Sequence, residues 1–177
     1  MRKAYNKRQV KRLTNKEFSL IASNCNGGCL LHDLGLRFNS PFVNLWVAPS
    51  DIVRLLSNIH YYLSCEIMFD VETDFAYPIG RLDDVKIYFQ HYSTKEMAKK
   101  KWEERKKRID FDNLFIMFTD RDGCNYQDLY DFDALSYKNK VVFTHVSYPE
   151  LKSAYYIKGW ENEKSVGVCS DYKSFFQ

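Results

Sequence analysis

The chain has 177 residues, 45% of them hydrophobic and 16% aromatic; one domain fills that length, and the composition excludes disordered, collagen-like and linker-dominated chains. Its longest apolar run, residues 114–118, falls far short of the ~20 residues a membrane-spanning helix needs. The net charge of +3 is unevenly placed: residues 1–16 hold seven bases and no acid, residues 95–108 carry +5, and this combined +12 leaves the remainder at −9.

Read in chain order, residues 1–16 form a basic N-terminal arm and 17–177 a single α/β domain. Five segments rich in aliphatic and aromatic residues read as strands, at 18–22, 42–47, 85–89, 113–118 and 141–143. Near-continuous apolar strands suit a sheet covered on both faces, so a three-layer, mainly parallel sheet flanked by helices is expected. Gly35 ends a short helix over 29–34. Ile52, Leu55, Leu56, Ile59, Tyr62 and Leu63 give one buried helix face over about 50–63. An extra strand at 66–71 would make the sheet mixed, and Tyr77-Pro78-Ile79-Gly80 reads as a loop. Thr94 caps a basic helix with Met97, Ala98, Trp102 and Arg105 on one side, and a third helix covers 126–135. The chain after Gly159 is too weakly patterned to assign.

Polar residues gather just after these strands: Ser23-Asn24-Cys25-Asn26-Gly27-Gly28, Gln90-His91-Tyr92, Thr119-Asp120-Arg121-Asp122-Gly123 and Thr144-His145. The carboxyl ends of parallel strands lie along one edge, where ligands sit, although strand-ending turns are polar in any case. Cys25 follows a buried strand and faces a helix start, a setting that favours thiolate. His91 then serves as base, with His32 competing and Asp120 as orienting carboxylate; His145 is a further candidate for the same edge. Asn24, Asn26, Gly27 and Gly28 supply substrate contacts, the glycines as a generic anion nest. Arg105, Arg108 and Arg121 are the anion holders, and Arg105 alternatively stacks on Trp102.

Cys25-x3-Cys29-x2-His32 lacks the second close pair of a structural zinc site, because Cys124, His145 and Cys169 are scattered singles, and no metal is assigned. Asp120 and Asp122 either hold a divalent cation or form a turn in which Arg121 pairs with its neighbours. The five cysteines are an odd number in a chain with no secretory signal, so they read as free thiols in a cytoplasmic protein. The basic segments suit an anionic membrane face or a phosphorylated small molecule. They carry no nucleic-acid signature, so no nucleic-acid partner is expected.

The pieces Ile21-Ala22-Ser23-Asn24-Cys25-Asn26-Gly27-Gly28, Tyr77-Pro78-Ile79-Gly80, His91-Tyr92, Lys101-Trp102 through Arg105, Arg121-Asp122-Gly123-Cys124 and Tyr137-Lys138-Asn139-Lys140 together resemble an uncharacterised bacterial family of exopolysaccharide biosynthesis proteins. The resemblance spans about residues 18–145. It implies an association with surface-polysaccharide assembly and supplies no reaction. The resemblance implies that members of that family often extend beyond the point where this chain stops at Phe176-Gln177. The expectation is a transferase moving an acyl or related group to a saccharide through Cys25 and His91, with acyl-CoA or a nucleotide sugar as donor. The alternatives are a glycosyltransferase holding a metal on Asp120 and Asp122, or a non-catalytic saccharide- or phosphate-binding scaffold docked on membrane-bound assembly machinery.

Overall fold

The computed structural model describes residues 2–167; Cys169 and the terminal Phe176-Gln177 lie outside them. In chain order, α1 (Arg2–Arg12) leads into β1 (Ser19–Ala22) and α2 (Asn26–Leu34), followed by α3 (Pro49–Ser57) and α4 (Ile59–Ser64). Next come β2 (Met68–Phe69), β3 (Ile79–Leu82), β4 (Val85–Tyr88) and α5 (Lys95–Lys106). Then follow β5 (Leu114–Thr119), α6 (Tyr126–Ala134), β6 (Asn139–Thr144) and β7 (Ala154–Tyr156). No helix among the described residues is long and apolar enough to cross a membrane.

The strands form two sheets. One is parallel throughout, in the order β1-β5-β6-β7; the other is antiparallel, in the order β2-β3-β4. The fold is therefore α/β, with a parallel sheet covered on both faces. Leu20, Ala22 and Met117 pack with Leu31 of α2 on one face. Ile21, Ile116, Phe118 and Val142 point the other way, into the large core shared with α3, α6 and the second sheet. This alternation is the period-two geometry of a strand with both faces buried.

Residues 85–89 do form a strand at 85–88, but in the antiparallel sheet, where it pairs with β3. That pairing replaces the place expected for it among the parallel strands. A two-residue hairpin turn at Asp83, whose φ is 53°, makes the antiparallel connection. Residues 42–47, by contrast, are not a strand. Asn44 takes a φ of 60°, which breaks the extended run, and a single bridge pairs Trp46 with Tyr88. The segment instead lies along the outer edge of β1, with Ser40 Oγ donating to Leu20 O at 2.5 Å and Val47 N to Ser23 O at 2.9 Å. The region 50–63 is two helices separated at Asn58, whose φ of −143° and ψ of 55° interrupt the helical path.

Thr94 caps α5 as expected, its hydroxyl accepting from Met97 N at 3.2 Å. Trp102 is 1% exposed and meets Phe42 edge-on, with ring centroids 5.4 Å apart. At the far end of α6, the Lys140 ammonium donates to three carbonyls, Phe132 O, Asp133 O and Leu135 O, and so closes the last turn.

The helix after β1 starts at Asn26, earlier than expected, so Gly27 and Gly28 lie inside its first turn. A Cβ at Gly27 would come within 2.5 Å of the Ala22 Cβ, and one at Gly28 within 3.2 Å of Asn44 Oδ1. These glycines let α2 press against β1 and the 42–47 segment. Gly27→Ala should therefore destabilise the protein by about 1–3 kcal/mol, the cost of forcing a methyl into a filled contact. Ordinary helix propensity would favour the change by about 1 kcal/mol. A lowered urea midpoint with unchanged slope is the expected reading, and an unchanged or raised midpoint would show that α2 and β1 separate freely.

Candidate functional site

Parallel pairing places Ala22 opposite Met117, so the residues after β1 and β5 leave the sheet side by side. Asn24 fastens them: its Nδ2 donates to Thr119 Oγ1 at 2.9 Å and to Asp122 Oδ2 at 3.0 Å. Its Oδ1 accepts from Asn26 N at 3.2 Å. Asp122 and Gly123 follow each other in the left-handed region, with φ of 63° and 86°. An aspartate tolerates that conformation better than most residues, and the turn carries its carboxylate back over Asn24. A backbone outlier stabilised at the end of a parallel strand is the kind found at binding sites.

Beside this turn is an open cleft of about 420 Å³. Asn24, Cys25 and Asn26 line it from the end of β1, and Arg121 and Asp122 from the end of β5. The opposite wall comes from the second sheet and its bridge: Trp46, Tyr77 and Gln90. Cys124 N donates to Arg121 O at 3.1 Å, but the Arg121 guanidinium makes no hydrogen bond or ion pair with another described residue, so the alternative in which it pairs with its acidic neighbours is not what the turn does. The Trp46 Nε1 hydrogen is buried without an acceptor among the described residues.

The Cys25 thiol lies 3.8 Å from both Leu45 O and Gln90 Oε1. Burial pushes its pKa above the ordinary 9.0, with Cys29 and Asp122 adding to the effect; its own backbone and Arg121 pull weakly the other way. The expected lowering by the helix start is thus reversed, because removal from water outweighs the dipole. His91 does not reach the thiol. It is exposed in the turn after β4, and the neighbouring Gln90 occupies the position facing Cys25. His32 is also exposed and lies 3.7 Å from Asp33.

Asp120 is 6% exposed and fully engaged. Its Oδ2 accepts from the backbone N and the Nδ1 of His145, at 2.6 and 2.5 Å, and its Oδ1 from Val166 N at 2.8 Å. The carboxylate therefore orients His145, not His91, and ties β5, β6 and the segment around Val166 together. It does not face the cleft beside Asp122. Both Asp120 oxygens are thus occupied within the protein, and among the described residues no three His, Cys, Asp or Glu side chains are grouped to hold a metal ion.

The other expected anion holders lie elsewhere. Arg105 donates to Tyr92 OH at 2.7 Å and sits over the Phe38 ring at 5.5 Å, so it braces the core instead of stacking on Trp102. Arg108 lines a separate 260 Å³ hollow with Glu17, Phe18, Arg37, Asn39 and Asp110, at the amino-terminal edge of the sheet. Gly27 and Gly28 are buried in helix packing and do not line the cleft. The structure thus unites Asn24, Cys25, Asn26, Arg121 and Asp122. It separates from them His91, Asp120, Arg105, Arg108 and both glycines.

Trp46, Tyr77 and Gln90 were not singled out by side-chain chemistry. Tyr77 stood within a recognisable Tyr-Pro-Ile-Gly piece and Gln90 beside His91. Trp46 sat in an apolar run that reads equally well as core.

Two comparisons bear on identity. An uncharacterized protein of Haemophilus influenzae is 48% identical over 183 residues, covering 99% of this chain and 88% of that protein. The sequence matches the family described as domain of unknown function DUF1919 over residues 1–177. With the whole length matched, the chain belongs to the DUF1919 family.

Proposed function

We propose that the cleft binds a sugar carrying a phosphate or nucleotide group, and that the protein is a saccharide-recognition component of surface-polysaccharide assembly. The observation that carries this reading is the cleft's mixed lining: aromatic Trp46 and Tyr77 across from amides, the Asp122 carboxylate and the unpaired Arg121 guanidinium. Aromatic rings accept the apolar C–H face of a pyranose, and planar amides and carboxylates match its adjacent hydroxyls. A guanidinium suits a phosphate through paired N–H groups. A few polar groups converging within a partly aromatic concavity is the general form of a small-molecule site.

Group transfer through Cys25 finds less support. A nucleophilic thiol needs a neighbouring base or a lowered pKa, whereas this one is pushed up and its side-chain partner is an amide that cannot take a proton. A donor held through a metal on Asp120 and Asp122 is likewise disfavoured, since Asp120 spends its oxygens on His145 and Val166.

Titration of the protein with glucose 1-phosphate, N-acetylglucosamine 1-phosphate and UDP-N-acetylglucosamine, followed by tryptophan fluorescence, should give saturable binding of at least one. Arg121→Ala should weaken it about tenfold or more, the loss expected of one charge-assisted contact. No binding by any of the three, or equal binding by the variant, would overturn the reading. Cys25 gives a second prediction. Because burial raises its pKa, alkylation by iodoacetamide at pH 7 should be slower than that of a free cysteine peptide, and the rise of its rate with pH should come at higher pH than the peptide's. Fast alkylation at pH 6–7 would restore the nucleophile hypothesis.

A further inference from the structure

The cleft does not end at Tyr77. Along its second-sheet wall the rings run on in contact: Trp46 to Tyr88 with centroids 4.3 Å apart, Tyr88 to Phe75 at 5.9 Å, and Phe75 to Tyr77 at 5.1 Å and nearly parallel. Phe75 is 49% exposed even with these two ring contacts. The hydroxyls of Tyr77 and Tyr88 form no hydrogen bond with other described residues.

The loop that carries these rings, residues 70–78, is held firmly at its base. Arg81 grips Asp70 through two parallel bonds, Nε to Oδ1 at 2.7 Å and Nη2 to Oδ2 at 3.1 Å. Lys95 Nζ donates to Val71 O at 2.8 Å, and Asp70 N to Ile79 O at 3.0 Å. At the end of β3's approach, Gly80 leaves room that a Cβ would take from Ile67 and Phe89, at 2.8 and 2.9 Å. Exposed aromatic surface on an anchored loop is preorganised surface, because the ordering cost is met before any ligand arrives.

We infer that the natural ligand is an oligosaccharide chain, one end of which enters the cleft between Trp46 and Tyr77 while the following sugar rings lie against Tyr88 and Phe75 beyond it. This deepens the saccharide reading above and rests on it. This strip of rings offers what a glycan chain needs and an aliphatic chain does not: flat rings for the C–H faces, with unengaged phenol hydroxyls beside them for the equatorial oxygens. It is continuous with the cleft through Trp46 and Tyr77, which belong to both.

The test is chain-length dependence. The full chain is titrated calorimetrically with mono- to hexasaccharides of three series, β1,4-linked N-acetylglucosamine, β1,4-linked glucose and α1,4-linked glucose, and with octyl glucoside as the aliphatic comparison. Affinity should rise about tenfold or more between the shortest and longest members of at least one series. Phe75→Ala should abolish that rise, and Val71→Ala, at an 88% exposed position of the same loop, should keep it. No rise with length, a rise that survives Phe75→Ala, a rise lost equally in Val71→Ala, or a matching gain from the octyl tail would each overturn the inference. Binding of a sugar phosphate without length dependence would sink this inference alone, whereas failure of every sugar and sugar phosphate would sink the saccharide reading as well.

Discussion

The cleft depends on one piece of extended backbone that belongs to neither sheet. Residues 45–47 bond in both directions: Trp46 exchanges hydrogen bonds with Tyr88 at 2.9 and 2.8 Å, and Val47 N donates to Ser23 O at 2.9 Å. Leu45 O faces the Cys25 thiol. Buried Leu45 and Val47 anchor this segment in the core, and its backbone polar groups would be costly there if they were not paired on both sides. The parallel sheet and the antiparallel sheet are thereby joined, and the gap left between their ends is the cleft.

Around that joint, the polar side chains divide into those that hold and those that face outward. Asp120 and Asn24 spend their oxygens and amide hydrogens on neighbouring strands and turns, in bonds that fix positions. Arg105 does the same between Tyr92 and Phe38. Arg121, Gln90 and the phenols of the aromatic strip keep unused capacity toward the opening. A group that has already satisfied itself inside the protein gains little from a ligand, so the second set is the one left open to an incoming group.

Much of this was legible in the residues. Apolar runs located β1, β4, β5 and β6, and Thr94 located the start of α5, because burial on both faces and a capping hydroxyl leave local marks. The polar segments after β1 and β5 were rightly brought together, since parallel neighbours must release their chains at the same edge. What failed was long-range. Residues 85–89 carry the same hydrophobicity whether they pair in parallel or as a hairpin, and only Asp83 and its turn decide between the two. That choice moved His91 off the shared edge. Gly27-Gly28 looks alike as an anion nest and as a contact surface until Ala22 is seen 2.5 Å from the missing Cβ. The Cys25 thiol meets residues 20 and 65 positions away, and the burial that raises its pKa is a property of the folded chain that no local pattern encodes.

The bonds that assemble the cleft span great lengths of chain: Asn24 reaches residues 95 and 98 positions further on. Contacts so distant close late, after the entropy of a long loop has been overcome. On the ribosome, then, the first strand emerges with the edge that will take β5 unpartnered, and that edge waits through the synthesis of the whole antiparallel sheet before β5 arrives. During that interval the walls of the cleft are not yet together, so the cleft is a feature of the finished chain alone.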